Sequence, residues 1–220
     1  MAVTFDLFGT LVDADRPDDP AAAVARELRE RGVAVPDDWA AAYREPHVDA
    51  PEGAEVPLPA HVAAALADRG VDAPGNAARR AVVAAFDPDV ERRPGADEAV
   101  AAAAERGPVG VCSNCAVPEL VGRTLVRADL RGRFDAVVSS VGCGWRKPDA
   151  RIFETVADRL GVAPDDLVHV GDDERTDGGV RAVGGRFVDV AETPLPALPT
   201  ALSDGDEGTD TDASPTGGEP

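Results

Sequence analysis

An apolar run, Ala2-Val3-Thr4-Phe5, delivers a lone carboxylate at Asp6, and Gly9-Thr10 then turns the chain. Open α/β sheets keep their ligand crevice just past a strand's carboxyl end, which is where this charged oxygen nucleophile falls. Of the 22 basic residues only Lys147 is a lysine, and the rest are arginine. It sits in Arg146-Lys147-Pro148-Asp149, shortly before Val168-His169-Val170-Gly171-Asp172-Asp173. A strand-end carboxylate, a point cation and a late acidic loop are the parts that phosphoryl transfer needs.

A carboxylate at Asp6 can attack phosphorus to give an aspartyl phosphate, splitting one hard displacement into two easier ones. Attack by an anion on an anion needs neutralisation, which Mg²⁺ on a few carboxylates supplies. Asp172 and Asp177 are the natural partners of Asp6 in such a metal site. Asp173 either competes for the ion or stays outside its shell. The plainer reading makes these residues helix N-cap and first-turn acids, and one of the three is expected to serve so. Lys147 can neutralise both the nucleophile and a bound phosphoryl group. Ser113-Asn114 follows a strand ending at Cys112, so a hydroxyl and main-chain amides can face the same crevice.

Cys112-x-x-Cys115 invites a zinc or redox reading. Zinc would have to complete its shell from Cys143 and a histidine. A thioredoxin-type pair should open a helix, whereas this pair brackets Ser113. Neither use is expected. His169 lies in an apolar strand as a satisfied core residue, and His47 and His61 have no partner pattern.

The 220 residues suffice for one sizeable core, or a core with a smaller insert. Hydrophobic residues make up 44% but aromatics only 4%, so the core must be built largely from Ala, Val and Leu. Acidic residues outnumber basic ones 41 to 22, for a formal charge of -19. Such a surface repels nucleic acid and anionic membranes, so neither is expected as a partner. High acidity with one lysine suggests a high-salt interior where screening suppresses self-repulsion; GC-rich coding bias gives a similar composition. No apolar run approaches the ~18 residues of a membrane helix, no signal-peptide pattern is evident, and three cysteines argue against a disulfide framework. A cytoplasmic protein is expected.

The elements that must position these residues follow an α/β rhythm with one interruption. Residues 2–8 form a buried strand. From 13 to 93, Ala-rich amphipathic stretches (20–31, 38–44, 59–69 and 76–86) alternate with Pro/Gly/Asp breaks and predict a helical insertion. From 94 the rhythm resumes: helix to about 106, strand 108–112, helix 117–127, strand 134–139, helix 149–160, strand 167–170, helix 176–183 and strand 186–190. Alternation of this kind implies a doubly wound parallel sheet. The core thus comprises 1–12 and 94–200, and 201–220 are expected to form a disordered acidic tail.

Taken together, Phe5-Asp6-Leu7-Phe8-Gly9-Thr10-Leu11, Cys112-Ser113-Asn114, Arg146-Lys147-Pro148-Asp149 and His169-Val170-Gly171-Asp172-Asp173 resemble the four motifs of the haloacid dehalogenase-like hydrolase superfamily, in order. The resemblance implies a Rossmann-like core whose helical insertion acts as a cap that closes over the crevice and selects substrate. It implies that Asp6 is the nucleophile and that Ser113 and Lys147 contact the phosphoryl group, helped by Thr10 and the amide of Asn114. Mg²⁺ would be held by Asp6, the carbonyl of Phe8 and Asp172, with Asp177 beside it. One departure matters. Phosphatases of this family carry a second Asp two residues after the nucleophile as general acid and base, and here that position is Phe8. Such a group is worth ~10²–10⁴-fold in rate. Asp13 is the nearest spare carboxylate.

An aromatic at this position is closer to the metal-free 2-haloacid dehalogenase branch, where a departing halide needs no proton. That branch, however, has Ser and Asn where this chain has acids. The acidic loop therefore favours a Mg²⁺-dependent small-molecule phosphatase, slow or limited to good leaving groups. A dehalogenase-type hydrolase and a catalytically weak binding or regulatory protein stay open beside it. Specificity is expected from the insertion, with Arg26, Tyr43, Arg44, His47 and His61 as its polar candidates.

Overall fold

The computed structural model describes residues 1–204. Five strands, β1 (Ala2–Phe5), β4 (Val109–Ser113), β5 (Ala136–Ser139), β6 (Leu167–Gly171) and β7 (Arg186–Asp189), form an all-parallel sheet in the order β5-β4-β1-β6-β7. The chain builds outward from β1 through β4 to β5, then returns to the other side of β1 with β6. The switch point of this doubly wound sheet is therefore the carboxyl end of β1, flanked by the ends of β4 and β6.

Period-two alternation divides the interior between the two faces of the sheet. Val3, Phe5, Val109, Val111, Val168 and Val170 enter one apolar cluster, continuous with the insertion. Ala2, Cys112, Val138 and Leu167 enter the other, under α8 (Ala150–Leu160) with its Ile152, Phe153 and Val156. Ala, Val and Leu dominate both cores, with Phe5 and Phe153 as the fully buried aromatics. Asp149 caps α8 by accepting from the amide of Arg151 at 3.0 Å, and Gly161 closes it in the left-handed conformation.

The insertion leaves and rejoins the core through a two-stranded antiparallel ribbon, β2 (Val12–Ala14) with β3 (Val90–Arg92). No strand was expected here, because three residues are too few for alternation to register; cross-strand pairing specifies them. Between these strands lie α1 (Pro20–Glu30), α2 (Trp39–Ala42), α3 (Leu58–Ala67) and α4 (Ala77–Ala85), close to the four expected helical stretches. A second tether crosses from the insertion to the core. The amide of Glu55 donates to the carbonyl of Gly144, that of Leu58 to Ala116, and that of Arg146 to Gly53, each at 2.9 Å.

The core also contains α5 (Ala96–Ala104), α6 (Leu120–Arg127) and a short α7 (Ser140–Cys143) that was not anticipated. The expected helix 176–183 is instead a 3₁₀ turn, Asp177–Val183, which Gly178-Gly179 allows. The segment from 201, read as a tail, needs correction at its start. Residues Leu198–Asp204 form α9, which packs on α5, with Leu198 0% and Leu202 3% exposed. These leucines, four apart, share one helical face, a signal outweighed by the acidic composition that follows. Residues 205–220 of the expected tail lie outside the described residues. No helix among the described residues is long and apolar enough to cross a membrane.

Because Leu198 belongs to the core, truncation to alanine should cost about 2–5 kcal/mol. Urea unfolding of L198A monitored by circular dichroism tests this; an unchanged midpoint would mean that α9 does not contribute to the folded state.

Candidate active site

Asp6 follows β1, and its amide donates to the carbonyl of Val170 at 2.8 Å, which holds it between β1 and β6. Its Oδ1 accepts from Nζ of Lys147 at 2.8 Å. The same ammonium donates to Oδ1 of Asp177 at 2.5 Å. All three groups are buried, with Lys147 2% and Asp177 1% exposed. Burial pulls the Lys147 ammonium toward neutrality, but Asp6 and then Asp177 more than reverse this and hold its pKa above the ordinary lysine value. Burial likewise opposes ionisation of Asp177. The hydrogen bond from His169 and the charge of Lys147 nonetheless hold its carboxyl well below the usual range.

Asp177 has little spare capacity. Its Oδ1 faces both Lys147 and Nε2 of His169, the latter at 3.1 Å. Its Oδ2 accepts from the amides of Asp172 and Asp173, both at 3.1 Å. Nδ1 of His169 lies 2.9 Å from the hydroxyl of Thr4, its register partner on β1. Burial pushes the His169 pKa down, so the ring is neutral, with Nε2–H donating to Asp177 and Nδ1 accepting from Thr4. His169 is the satisfied core residue expected from its strand, but one of its partners is Asp177, a carboxylate of the candidate site.

Close approach of the two loops depends on Gly179, where an added Cβ would meet the carbonyl oxygen of Pro148 at 2.5 Å. Asn114 pins Lys147 from the opposite side. Its side-chain Nδ2 donates to the Lys147 carbonyl at 2.9 Å, and its Oδ1 accepts from the Lys147 amide at 2.8 Å. The expectation concerned only the main-chain amide of Asn114. Its side-chain role could not be read without knowing that the loop after β4 faces the loop before α8.

Asp172 stands at the exposed side of the crevice, where its Oδ1 accepts from the Thr10 hydroxyl at 3.1 Å. Partial burial, then the charge of Asp6, raise its carboxyl pKa. One carboxylate oxygen from each of Asp6, Asp172 and Asp177 falls within a span of 4.8 Å. Three carboxylates against one ammonium leave the cluster net negative, and an all-oxygen donor set of this kind suits a hard divalent cation. Gly9 keeps the space open: its φ is 85°, and a Cβ there would lie 2.5 Å from Asp172 Oδ2. Ser113 Oγ is buried with no hydrogen-bond partner among the described residues. An orphaned hydroxyl at the end of β4 is costly unless a ligand satisfies it. Asp173 pairs instead with its neighbour Arg175 at 3.1 Å, on the exposed side of the loop.

The cysteines divide between the two faces of the sheet. Cys112 belongs to the cluster under α8 and Cys115 to the opposite one, so the pair does not converge on a ligand. Burial pushes the Cys112 thiol up to about 12, which makes it inert at neutral pH.

Next to the crevice is a pocket of about 200 Å³. Phe8, Ala14, Asn114 and Val117 line it from the core and hinge, and Leu58 and Phe86 from the insertion. The polar residues singled out in the insertion lie elsewhere. Nε2 of His61 donates to the Tyr43 carbonyl at 2.8 Å, His47 pairs with Asp68 at 2.6 Å, and Arg26 pairs with Glu27. Arg44, just past α2, donates to the Ala40 carbonyl. None of these five polar candidates is among the residues that line this pocket.

Relatives are consistent with this arrangement. Phosphoserine phosphatase of Thermus thermophilus is 36% identical over 112 residues, covering 50% of this chain and 45% of that protein. The chain spans less than half the length of the curated relatives it matches. Among solved structures, 2-haloacid dehalogenase from Pseudomonas syringae pv. Tomato superposes with a TM-score of 0.62 at 19% identity, over 92% of this chain and 98% of that one. A HAD phosphatase from Thermococcus onnurineus gives 0.52 at 20% identity, over 86% and 85%. At these identities the likeness concerns the fold. The family description that matches, haloacid dehalogenase-like hydrolase, spans residues 1–184 and so takes in Asp6, Ser113, Lys147, Asp172 and Asp177. The chain therefore belongs to the haloacid dehalogenase-like hydrolases.

Proposed function

We propose that the protein is a Mg²⁺-dependent phosphatase of small phosphate monoesters, working through an aspartyl phosphate on Asp6. The observation that carries this reading is the acidic cluster of Asp6, Asp172 and Asp177 around a single lysine. A 2-haloacid brings its own carboxylate, which such a cluster repels unless a cation sits among the acids, and the 2-haloacid dehalogenase branch is metal-free. A phosphoryl group suits the same place once a cation offsets the charge, and the 36% identity to a phosphoserine phosphatase agrees. Asp6, the Phe8 carbonyl and Asp172 would hold Mg²⁺, with Asp177 beside them. When bound, the ion neutralises phosphoryl oxygens and the carboxylates around them.

The remaining work belongs to the protein's own groups. Lys147 holds Oδ1 of Asp6, which orients the carboxylate and leaves Oδ2 to attack phosphorus. The free Ser113 hydroxyl donates to a phosphoryl oxygen, as do the Lys147 ammonium and the amide of Asn114. Thr10 restrains Asp172. Water then cleaves the aspartyl phosphate and returns Asp6. Phe8 contributes no proton in either step, so the leaving group departs on its own basicity. The acidic composition fits a cytoplasm of high salt, which sets the assay conditions. The second reading, a dehalogenase-type hydrolase, is favoured by Phe8 alone.

In molar KCl, phosphate release from p-nitrophenyl phosphate should require Mg²⁺, cease with EDTA and be lost in Asp6→Asn. Release that persists in EDTA or in the variant would reject the mechanism, and chloride release from 2-chloropropionate without metal would install the dehalogenase. Phe8→Asp should raise turnover of alkyl phosphates on the order of tenfold or more, because it restores a proton donor. An unchanged or lower rate in the folded variant would show that the missing acid does not limit the enzyme.

A further inference from the structure

We infer that the leaving group this site accepts is a compact aryl body, so that the substrates are monoesters of phenol-like alcohols. This rests on the phosphatase reading above. The pocket beside the crevice begins at Phe8, two residues past the nucleophile, and at Asn114, next to Ser113. A group held there is the part of the substrate extending from the phosphoryl position. Its walls are mostly apolar, with Leu58, Phe86 and Pro88 from the insertion side and Val117 and Leu120 from the core, while Asn114 and the exposed Asp15 and Arg16 are its polar side chains. At about 200 Å³ it falls below the roughly 300–1,000 Å³ of sites for drug-sized ligands. It therefore takes a small body with few polar atoms; the several hydroxyls of a sugar would outnumber the polar groups that line it. Arg16 is the one cation among the described lining residues. Its guanidinium lies 5.9 Å from the Phe8 ring centroid, at the mouth, where it can also cover an aromatic guest.

Leaving-group chemistry points the same way independently. A phenol has a pKa of about 10, whereas an alkanol resembles water, at about 15.7. With phenylalanine in place of the acid, the P–O bond must break without protonation of the departing oxygen. Asp6 forms the new O–P bond, and phenolate leaves with the electron pair and takes its proton from solvent. Water then attacks the phosphoenzyme, releasing phosphate and a proton to solvent. One residue, Phe8, thus removes the proton donor and supplies the wall that selects substrates able to do without it.

The full chain, in molar KCl with Mg²⁺, is assayed against phenyl phosphate, cyclohexylmethyl phosphate, glucose 6-phosphate and phosphoserine. Phenyl phosphate should exceed glucose 6-phosphate and phosphoserine in kcat/KM by about 100-fold or more. Cyclohexylmethyl phosphate should compete with it at an inhibition constant within about tenfold of its KM, yet turn over about 100-fold more slowly. Phe86→Asp, with Leu58→Asn as a second variant should the first misfold, should lower kcat/KM for phenyl phosphate about tenfold relative to acetyl phosphate. Comparable use of glucose 6-phosphate or phosphoserine would overturn the apolar pocket, as would an unchanged ratio in a folded variant. Fast turnover of the cyclohexylmethyl ester would overturn the leaving-group argument. Absence of Mg²⁺-dependent release from every ester would instead overturn the phosphatase reading itself.

Discussion

The site depends on one buried cation. Lys147 bridges Asp6 and Asp177 at 2.8 and 2.5 Å, nearly free of solvent. Burying an ammonium costs several kcal/mol unless it is paired and hydrogen-bonded. Here two carboxylates supply the pairing. Asp177 is itself held by His169 and two main-chain amides, and His169 by Thr4. The chain of contacts therefore ties the loop before α8 to β6 and β1. Loss of one member leaves a neighbour charged or polar without compensation, so Asp6 is fixed by a network that also contributes to folding.

The charge balance explains why this arrangement is suited to chemistry as well as to structure. One ammonium does not neutralise Asp6, Asp172 and Asp177, and Asp172, crowded by Asp6 and partly desolvated, is harder to ionise than an ordinary aspartate. A divalent cation would relieve that cost. Meanwhile the Ser113 hydroxyl, without a hydrogen-bond partner among the described residues, lies at the end of the neighbouring strand β4. Unmet electrostatic demand and an unmet hydrogen bond are thus placed together, as expected of a site organised for a ligand.

The core and the insertion divide the work. In the core, Asp6 and Ser113 sit at strand ends, where ladder hydrogen bonds limit their motion, and Lys147 and Asp177 come from the adjoining loops. The insertion, joined by the β2–β3 ribbon and tethered at Gly53–Leu58, adds Leu58, Phe86 and Pro88 to the adjacent pocket. Its histidines and Tyr43 are engaged with one another and with the insertion's own backbone. Polar residue type was a poor guide to the lining of this pocket, because such side chains also find partners within a small helical layer. Apolar walls drew no notice in the sequence because they look like core.

The sequence already carried the alternation of strands and helices, the four helical stretches within residues 13–93, and Asp6, Ser113, Lys147 and Asp172 as candidate site residues. These were legible because strand periodicity, Gly/Pro punctuation and a lone lysine are local or compositional signals. What only the tertiary structure decided is how distant groups meet. Asp177 engages Lys147 and His169, Asn114 grips the Lys147 backbone through its side chain, and Cys112 and Cys115 part to opposite faces. The same holds for the three-residue strands β2 and β3 and for the docking of Leu198 and Leu202. Each depends on which segments the parallel sheet brings side by side, and strand order follows from the packing of the whole chain rather than from any one stretch of it.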